Sequence, residues 1–272
     1  MISVLQLGTI DYATGLRLQQ RLVALRKDGR IGDVLLLLEH TPVITLGRNA
    51  EAANVIASPE LLHEKGVEVF ECDRGGDVTF HGPGQLVAYP IFDLRGLPSS
   101  DGSRKTLGAV EFVRRLEEVL IRTCADFGIP TKRIPGLTGV WTANDQGGTT
   151  AAPDRPDEFS EAKIAALGVH ISRAVTSHGI ALNVNTDLDY FHLIIPCGIT
   201  SKPVTSMARE LGREIPLPDV AHAISRNFGV VFRSQMLWLE TVDSLLDTAV
   251  GVPMRPPEEL RRMYGDEETF LG

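Results

Sequence analysis

Short, apolar, extended runs crowd the first two-thirds of this chain, and helical patterns fall among them without the regular strand–helix alternation of a parallel α/β fold. Residues 33–39 and 43–46 read as adjacent strands, interrupted by Thr41-Pro42. Residues 3–7, 67–71, 86–94, 138–142, 163–171 and 175–184 read as further strands. The strongest helical signal spans 109–127. There Phe112, Val113, Leu116, Val119 and Leu120 share one face, Arg114, Arg115, Glu117 and Glu118 the other, and Gly128 and Pro130 end the run. Residues 12–26 form an amphipathic helix, and shorter helices are expected after Ser58-Pro59, over 207–211 and over 221–228. The glycine-rich stretch 74–85 reads as a loop. Together these features predict an α+β fold, a mixed β-sheet flanked by helices.

Composition narrows the partners. With 272 residues, 43% of them hydrophobic, the chain can bury a sizeable core, and a net charge of −8 argues against nucleic acid. The longest apolar run, residues 34–38, is far short of the roughly 20 residues that cross a membrane. The opening MISVLQLGTIDYATG has neither the cationic start nor the long apolar run of a signal peptide. Three scattered cysteines, Cys72, Cys124 and Cys197, with no CxxC pair, suit a reducing compartment, so a cytoplasmic location is expected.

Cys197 follows an apolar run and a proline and precedes a glycine, in LIIPCGI. Such a turn exposes a thiol where backbone N–H groups can face a reacting carbonyl. Cys124 lies on the apolar face of the long helix and reads as core, and Cys72 as structural. A thiol needs a nearby cation to ionise near neutrality. The candidates are Lys163, which opens an otherwise apolar strand, the histidines His81, His170 and His178, and several arginines. The run Arg74-Gly75-Gly76-Asp77-Val78-Thr79-Phe80-His81-Gly82-Pro83-Gly84-Gln85 combines glycines that admit a ligand with Arg74, which can grip a carboxylate or phosphate, and His81, which can move protons. It matches neither nucleotide-loop pattern, no GxSxG is present, and no His or Cys pair has metal-ligand spacing.

Five segments together resemble the lipoyl (octanoyl) transferase family: RGGDVTFHGPGQLVAYPI (74–91), GVW (139–141), KIAALGVHISR (163–173), SHGIALNVN (177–185) and IIPCGI (194–199). The resemblance covers roughly residues 1–233, and 34 positions separate its lysine from its cysteine. It implies the fold of the biotin and lipoate protein ligase catalytic domain. It implies an acyl-thioester on Cys197 and a Lys163 that lowers the thiol pKa and moves protons. The acyl group would be held by Arg74, Gly75, Gly76, Asp77, Val78, Thr79, Phe80 and His81, by Ala166, Leu167 and Gly168, and by Gly179, Ile180 and Ala181. The donor would be octanoyl-acyl carrier protein. The acceptors would be lipoyl domains of 2-oxoacid dehydrogenase complexes and the glycine cleavage H protein. No ATP, metal or other cofactor would be needed. An ATP-dependent lipoate or biotin ligase, or a non-catalytic lipoyl-domain-binding module, are the rival readings.

Three further expectations complete the sequence reading. Residues 144–160, polar and rich in Gly, Pro and Asp, form an insertion within a catalytic domain spanning 1–235. Residues 236–272 form an acidic C-terminal extension, with a helix near 256–264. Lys132, Arg133, Arg104, Lys105, Arg48, Arg173 and Lys202 are candidates for a basic rim that receives acidic protein partners.

Overall fold

The computed structural model describes residues 1–99, 102, 105–143, 161–198 and 202–245, with Cys197 described by its backbone alone. The insertion 144–160, Arg104 and the expected helix at 256–264 lie outside these residues. In chain order the elements are β1 (Ile2–Ile10), α1 (Tyr12–Lys27), β2 (Asp33–His40), β3 (Val43–Leu46), α2 (Pro59–Glu64), β4 (Glu68–Glu71), β5 (Val78–His81), β6 (Gln85–Ile91), α3 (Ala109–Asp126), β7 (Thr131–Ile134), β8 (Leu137–Thr142), β9 (Lys163–Ser172), β10 (Val175–Asn183), α4 (Met207–Leu211), α5 (Leu217–Phe232) and β11 (Met236–Trp238). Eight strands form one sheet in the order β11-β1-β2-β6-β10-β9-β8-β7. The pairs of β1 with β2 and β11 are parallel and the remainder antiparallel, which makes the sheet mixed, as expected. A second sheet, β4-β3-β5, stands beside it.

Alternation along the central strands divides the core. Leu35 and Leu37 of β2, Leu86 and Ala88 of β6, and Ile180 and Leu182 of β10 pack with Phe112, Leu116, Val119 and Leu120 of α3 and with Ile224 and Phe228 of α5. Val34, Leu36, Leu38, Val87, Tyr89 and Ala181 face the other way, towards Leu18, Leu22 and Leu25 of α1. Asp11 caps α1 by accepting a hydrogen bond from the Thr14 amide at 2.8 Å, and Ser58 caps α2 in the same manner. A two-residue turn, Arg173-Ala174, with φ of 51° and 66°, closes the β9–β10 hairpin in the left-handed geometry of a type I′ connection.

Three elements depart from the sequence reading. The stretch 74–85 is not loop throughout, because its centre is β5, paired antiparallel with β3. Val78 and Phe80 turn into the core of the small sheet while Thr79 and His81 turn out of it. The strand β7, at the sheet edge, is not among the strands read from the sequence. At the opposite edge β11 extends the sheet, and Val242 and Leu245 are buried beneath it, so the first ten residues after 235 pack onto the main body.

Candidate active site

On the α1 side of the sheet, small residues leave a groove. Its floor is Ala166 and Gly168 of β9 with Gly179 and Ala181 of β10, paired Ala181 to Ala166 and Gly179 to Gly168. Larger side chains at these positions would fill the space. One cavity over this floor is lined by Tyr12, Arg74, Gly76, Thr79, His81, Val87, Tyr89, Leu167, His178 and Ile180. An adjoining cavity shares Thr79, Ala166 and Ala181 with it and continues to Lys163, Pro196, Phe191 and Val204. The two lie side by side along the floor, with Lys163 lining the second.

Lys163 is buried although it opens a strand. Its amide donates to Pro203 O at 2.8 Å and its carbonyl accepts from the Thr205 amide at 2.9 Å, so residues 203–205 brace it as an extra strand would. Its Nζ lies 5.3 Å from the centre of the Trp141 ring. A Cβ on Gly139 would stand 2.6 Å from Lys163 Cε, and the Gly139 φ of +135° excludes other residues in any case. The glycine of GVW is therefore the channel through which the lysine passes. Behind it, the fully buried Glu117 carboxylate pairs with Arg114 at 2.8 Å and Arg133 at 3.1 Å.

Pro196-Cys197-Gly198 form a 3₁₀ turn at this same end. The turn is held from below by Asn54, whose carbonyl accepts from the Ile195 amide at 2.7 Å. Asn54 Nδ2 in turn donates to the Asp77 carboxylate at 2.6 Å, and that carboxylate stands beside Gly198. Asp77 thus acts on the turn that carries Cys197 and does not line the groove. Val78 and Phe80 serve the core of the small sheet, and Gly75 pairs with Val169 at 3.1 Å. Arg74 spends Nε and Nη2 on Thr45 Oγ1, at 3.0 and 2.9 Å, and Nη1 on Gly75 O at 3.1 Å. It fixes the loop over the groove, with no carboxylate ion pair among the described residues.

The far end holds a cluster of buried rings, Tyr12, His40, His81, Tyr89 and His178. His81 donates from Nδ1 to Gln85 Oε1 at 2.7 Å, and burial pushes its pKa down to about 3, so it is neutral near pH 7. Burial likewise lowers His40, to about 4. His40 Nδ1 donates to Ile10 O at 3.0 Å, which leaves Nε2 to accept from the Tyr89 hydroxyl at 2.7 Å. His178 has φ +54° within a strand, a conformation costing about 1 kcal/mol outside glycine. Its ring reaches Asp73 Oδ1 at 2.7 Å and its amide donates to Gln19 Oε1 at 2.7 Å. Burial works to raise the Asp73 carboxyl, but the hydrogen bond and charge of His178 outweigh it and hold it below the usual range. His170 stands further out, 3.7 Å from Asp73. Tyr12 and His40 lie outside the motifs, and Tyr89, within the segment 74–91, is not among the site residues that the resemblance implies.

Of the rim candidates, Arg48 and Arg173 are exposed. Lys132 and Lys202 both pair with Glu161, and Arg133 is committed to Glu117 and Glu118. Among the described residues, no group of three potential ligands is placed to hold a metal ion, and no helix is long and apolar enough to cross a membrane.

Similar proteins share this frame. The octanoyltransferase of Koribacter versatilis is 59% identical over 267 residues, covering 98% of each chain. That of Caldicellulosiruptor bescii is 45% identical over 233 residues, covering 85% of this chain and 91% of its own. The bipartite lipoate protein ligase of Thermoplasma acidophilum superposes with a TM-score of 0.61 at 18% identity, over 91% of both chains. A lipoate-protein ligase A bound with ATP gives 0.59 at 16% identity, over 91% of this chain and 94% of its own. These two likenesses show the fold. The model of the lipoyl protein ligase A/B catalytic domain matches residues 11–229, a span that runs from the first residue before α1 almost to the end of α5 and contains the whole groove, so the chain belongs to that family.

Proposed function

We propose that this chain moves an octanoyl group from octanoyl-acyl carrier protein to a lysine of a lipoyl domain, through a thioester on Cys197. The acceptors in this reading are the lipoyl domains of 2-oxoacid dehydrogenase complexes and the glycine cleavage H protein, and the reaction takes place in the cytoplasm. The observation that carries it is the shared cavity. Pro196, next to Cys197, and Lys163 line one end of a path whose floor is alanine and glycine.

In the first half-reaction the Cys197 thiolate attacks the donor's thioester carbonyl. The bond from that carbonyl to the carrier sulfur breaks, and the carrier leaves as a thiol after taking a proton from the Lys163 ammonium. In the second, an acceptor lysine amine attacks the enzyme thioester. Lys163, now neutral, takes the proton that the amine gives up, and the Cys197 thiolate is released. The sum is one thioester exchanged for one amide, with the enzyme restored. The donor arrives activated, so no ATP is consumed. The chain's methylenes, each worth about 0.8 kcal/mol when buried, hold the substrate in the groove.

Residues 1–235 form the catalytic domain in this reading, with 144–160 inserted in it and 236–272 as an acidic extension. The exposed Arg48 and Arg173 supply positive charge at the surface for acidic partners. The test is mass spectrometry after incubation with octanoyl-carrier protein in the absence of ATP. A gain of one octanoyl group, mapped to Cys197 and removed by hydroxylamine, is expected. Acylation only with ATP, or a label on Cys72, would overturn the reading.

A further inference from the structure

The groove has an end wall that the chemistry above does not call upon. Positions on one face of β10 step from Asn183 through Ala181 to Gly179, and β6 steps beside them from Gln85 through Val87 to Tyr89. At about 3.3 Å per residue the four-residue step covers roughly 13 Å. An extended eight-carbon chain has seven C–C bonds of about 1.5 Å, whose zigzag projects to roughly 9 Å. Such a chain is shorter than that span, which leaves its thioester carbonyl towards Lys163. A chain of twelve carbons, at roughly 14 Å on the same measure, is longer than the span.

The wall is rigid for reasons that can be named. The Tyr89 hydroxyl is bound by His40 Nε2 at 2.7 Å, and His40 is tied through Nδ1 to Ile10 O at 3.0 Å. The Tyr12 ring meets the His40 ring edge-on at 5.2 Å and stacks with His81 at 6.3 Å. His178, turned by its left-handed backbone and anchored on Asp73, meets Tyr89 edge-on at 6.4 Å. Tyr12, His40, Tyr89 and His178 are all buried, so none can swing into solvent to lengthen the groove.

We propose that Tyr89, with Tyr12 beside it, is the end stop that limits the acyl chain to medium length, which makes these two rings specificity-determining residues. This rests on the transfer reading above.

The test uses the full chain, Tyr89→Leu and Tyr12→Leu, with acyl-carrier thioesters of increasing length from six to fourteen carbons. Acyl-enzyme formation is followed by mass spectrometry, and binding of the free carboxylates of the same lengths by thermal shift. The wild type should favour eight carbons in both assays. Each variant should shift the optimum to longer chains, raising the twelve-to-eight ratio roughly tenfold. Should Tyr89→Leu fail to fold, Tyr12→Leu, on a different element, carries the comparison. Folded variants with the wild-type length profile would overturn the end stop. A wild type that binds the eight-carbon chain but is acylated by none of the donors would overturn the transfer reading alone, and the binding profiles of the variants would still decide the end stop.

Discussion

The Lys163 ammonium sits 5.3 Å from the centre of the Trp141 ring, with its side chain threaded past a residue that has none, Gly139. This holds a cation inside the protein at the end of the groove that Pro196 lines. Lys163→Ala should raise the Cys197 thiol towards its free value of about 8.5 and slow alkylation by iodoacetamide at neutral pH by roughly tenfold. Lys163→Arg keeps the charge but cannot give up a proton, since its pKa exceeds about 12. Discharge of the acyl-enzyme to a lipoyl domain should then suffer more than its formation. Following the two steps separately checks this, and wild-type rates in both would remove Lys163 from the mechanism.

Cys197→Ser should abolish both transfer and the covalent intermediate, because a hydroxyl has no comparable ionised fraction at neutral pH. Cys124 is the control. It is completely buried within the α3 core, and burial pushes its thiol up to about 12. Cys124→Ser should leave acylation intact and cost about 1–3 kcal/mol of stability by burying a hydroxyl, read from a denaturant titration.

Chain-length tuning and fold integrity separate at two floor positions. A Cβ on Gly179 would lie 2.1 Å from Ala88 O, a backbone atom of the neighbouring strand. Gly179→Ala should therefore disrupt the β6–β10 pairing and cost more than about 2 kcal/mol, seen as a large drop in Tm, rather than refine specificity. Ala166→Val adds its methyls over the groove floor. It should exclude longer acyl chains before shorter ones, and uniform loss across lengths would count against the placement.

Stability should fall as the solution is acidified below about pH 6.5, before the carboxylates titrate. His81 and His40 stay neutral in the folded protein down to about 3 and about 4. The unfolded chain takes up their protons near 6.5, so it is favoured increasingly as pH drops from there towards the folded values. Each histidine contributes up to about 1.4 kcal/mol per pH unit in that window. Denaturant titrations between pH 7.5 and 4.5 should show this slope, and His81→Gln should reduce it. A slope unchanged in that variant would mean that His81 titrates alike in both states.

The parts of the site that lie close together in sequence were legible there. KIAALG and SHGIA, which the resemblance implies for the acyl group, contain the small residues of the floor. Lys163 was legible as a cation before an apolar run, though not its burial, which depends on residues 203–205 closing over it. The strand β5 is hidden by its glycine surroundings: Val-Thr-Phe-His alternates apolar and polar, and all four residues are buried in the structure. Tyr12 and His40 lie outside the quoted motifs, and Tyr89, inside the segment 74–91, carries no sign there of its place in the site. They come from a helix start, a strand end and a strand interior, and only the register of β2 on β6, under the start of α1, brings their rings within contact.

The Arg173-Ala174 turn lies beyond the end of the groove, yet it dictates what the groove can accept. Its two left-handed residues count the alignment of β9 on β10. Inserting or deleting one residue there would slip that alignment by a position and turn Ile180 and Leu182 to where Gly179 and Ala181 now lie. Bulky side chains would occupy the acyl path, and glycine and alanine would leave holes against α3 and α5. Recognition of a fatty chain is in this sense a matter of parity, kept by a surface hairpin that lies outside the acyl path.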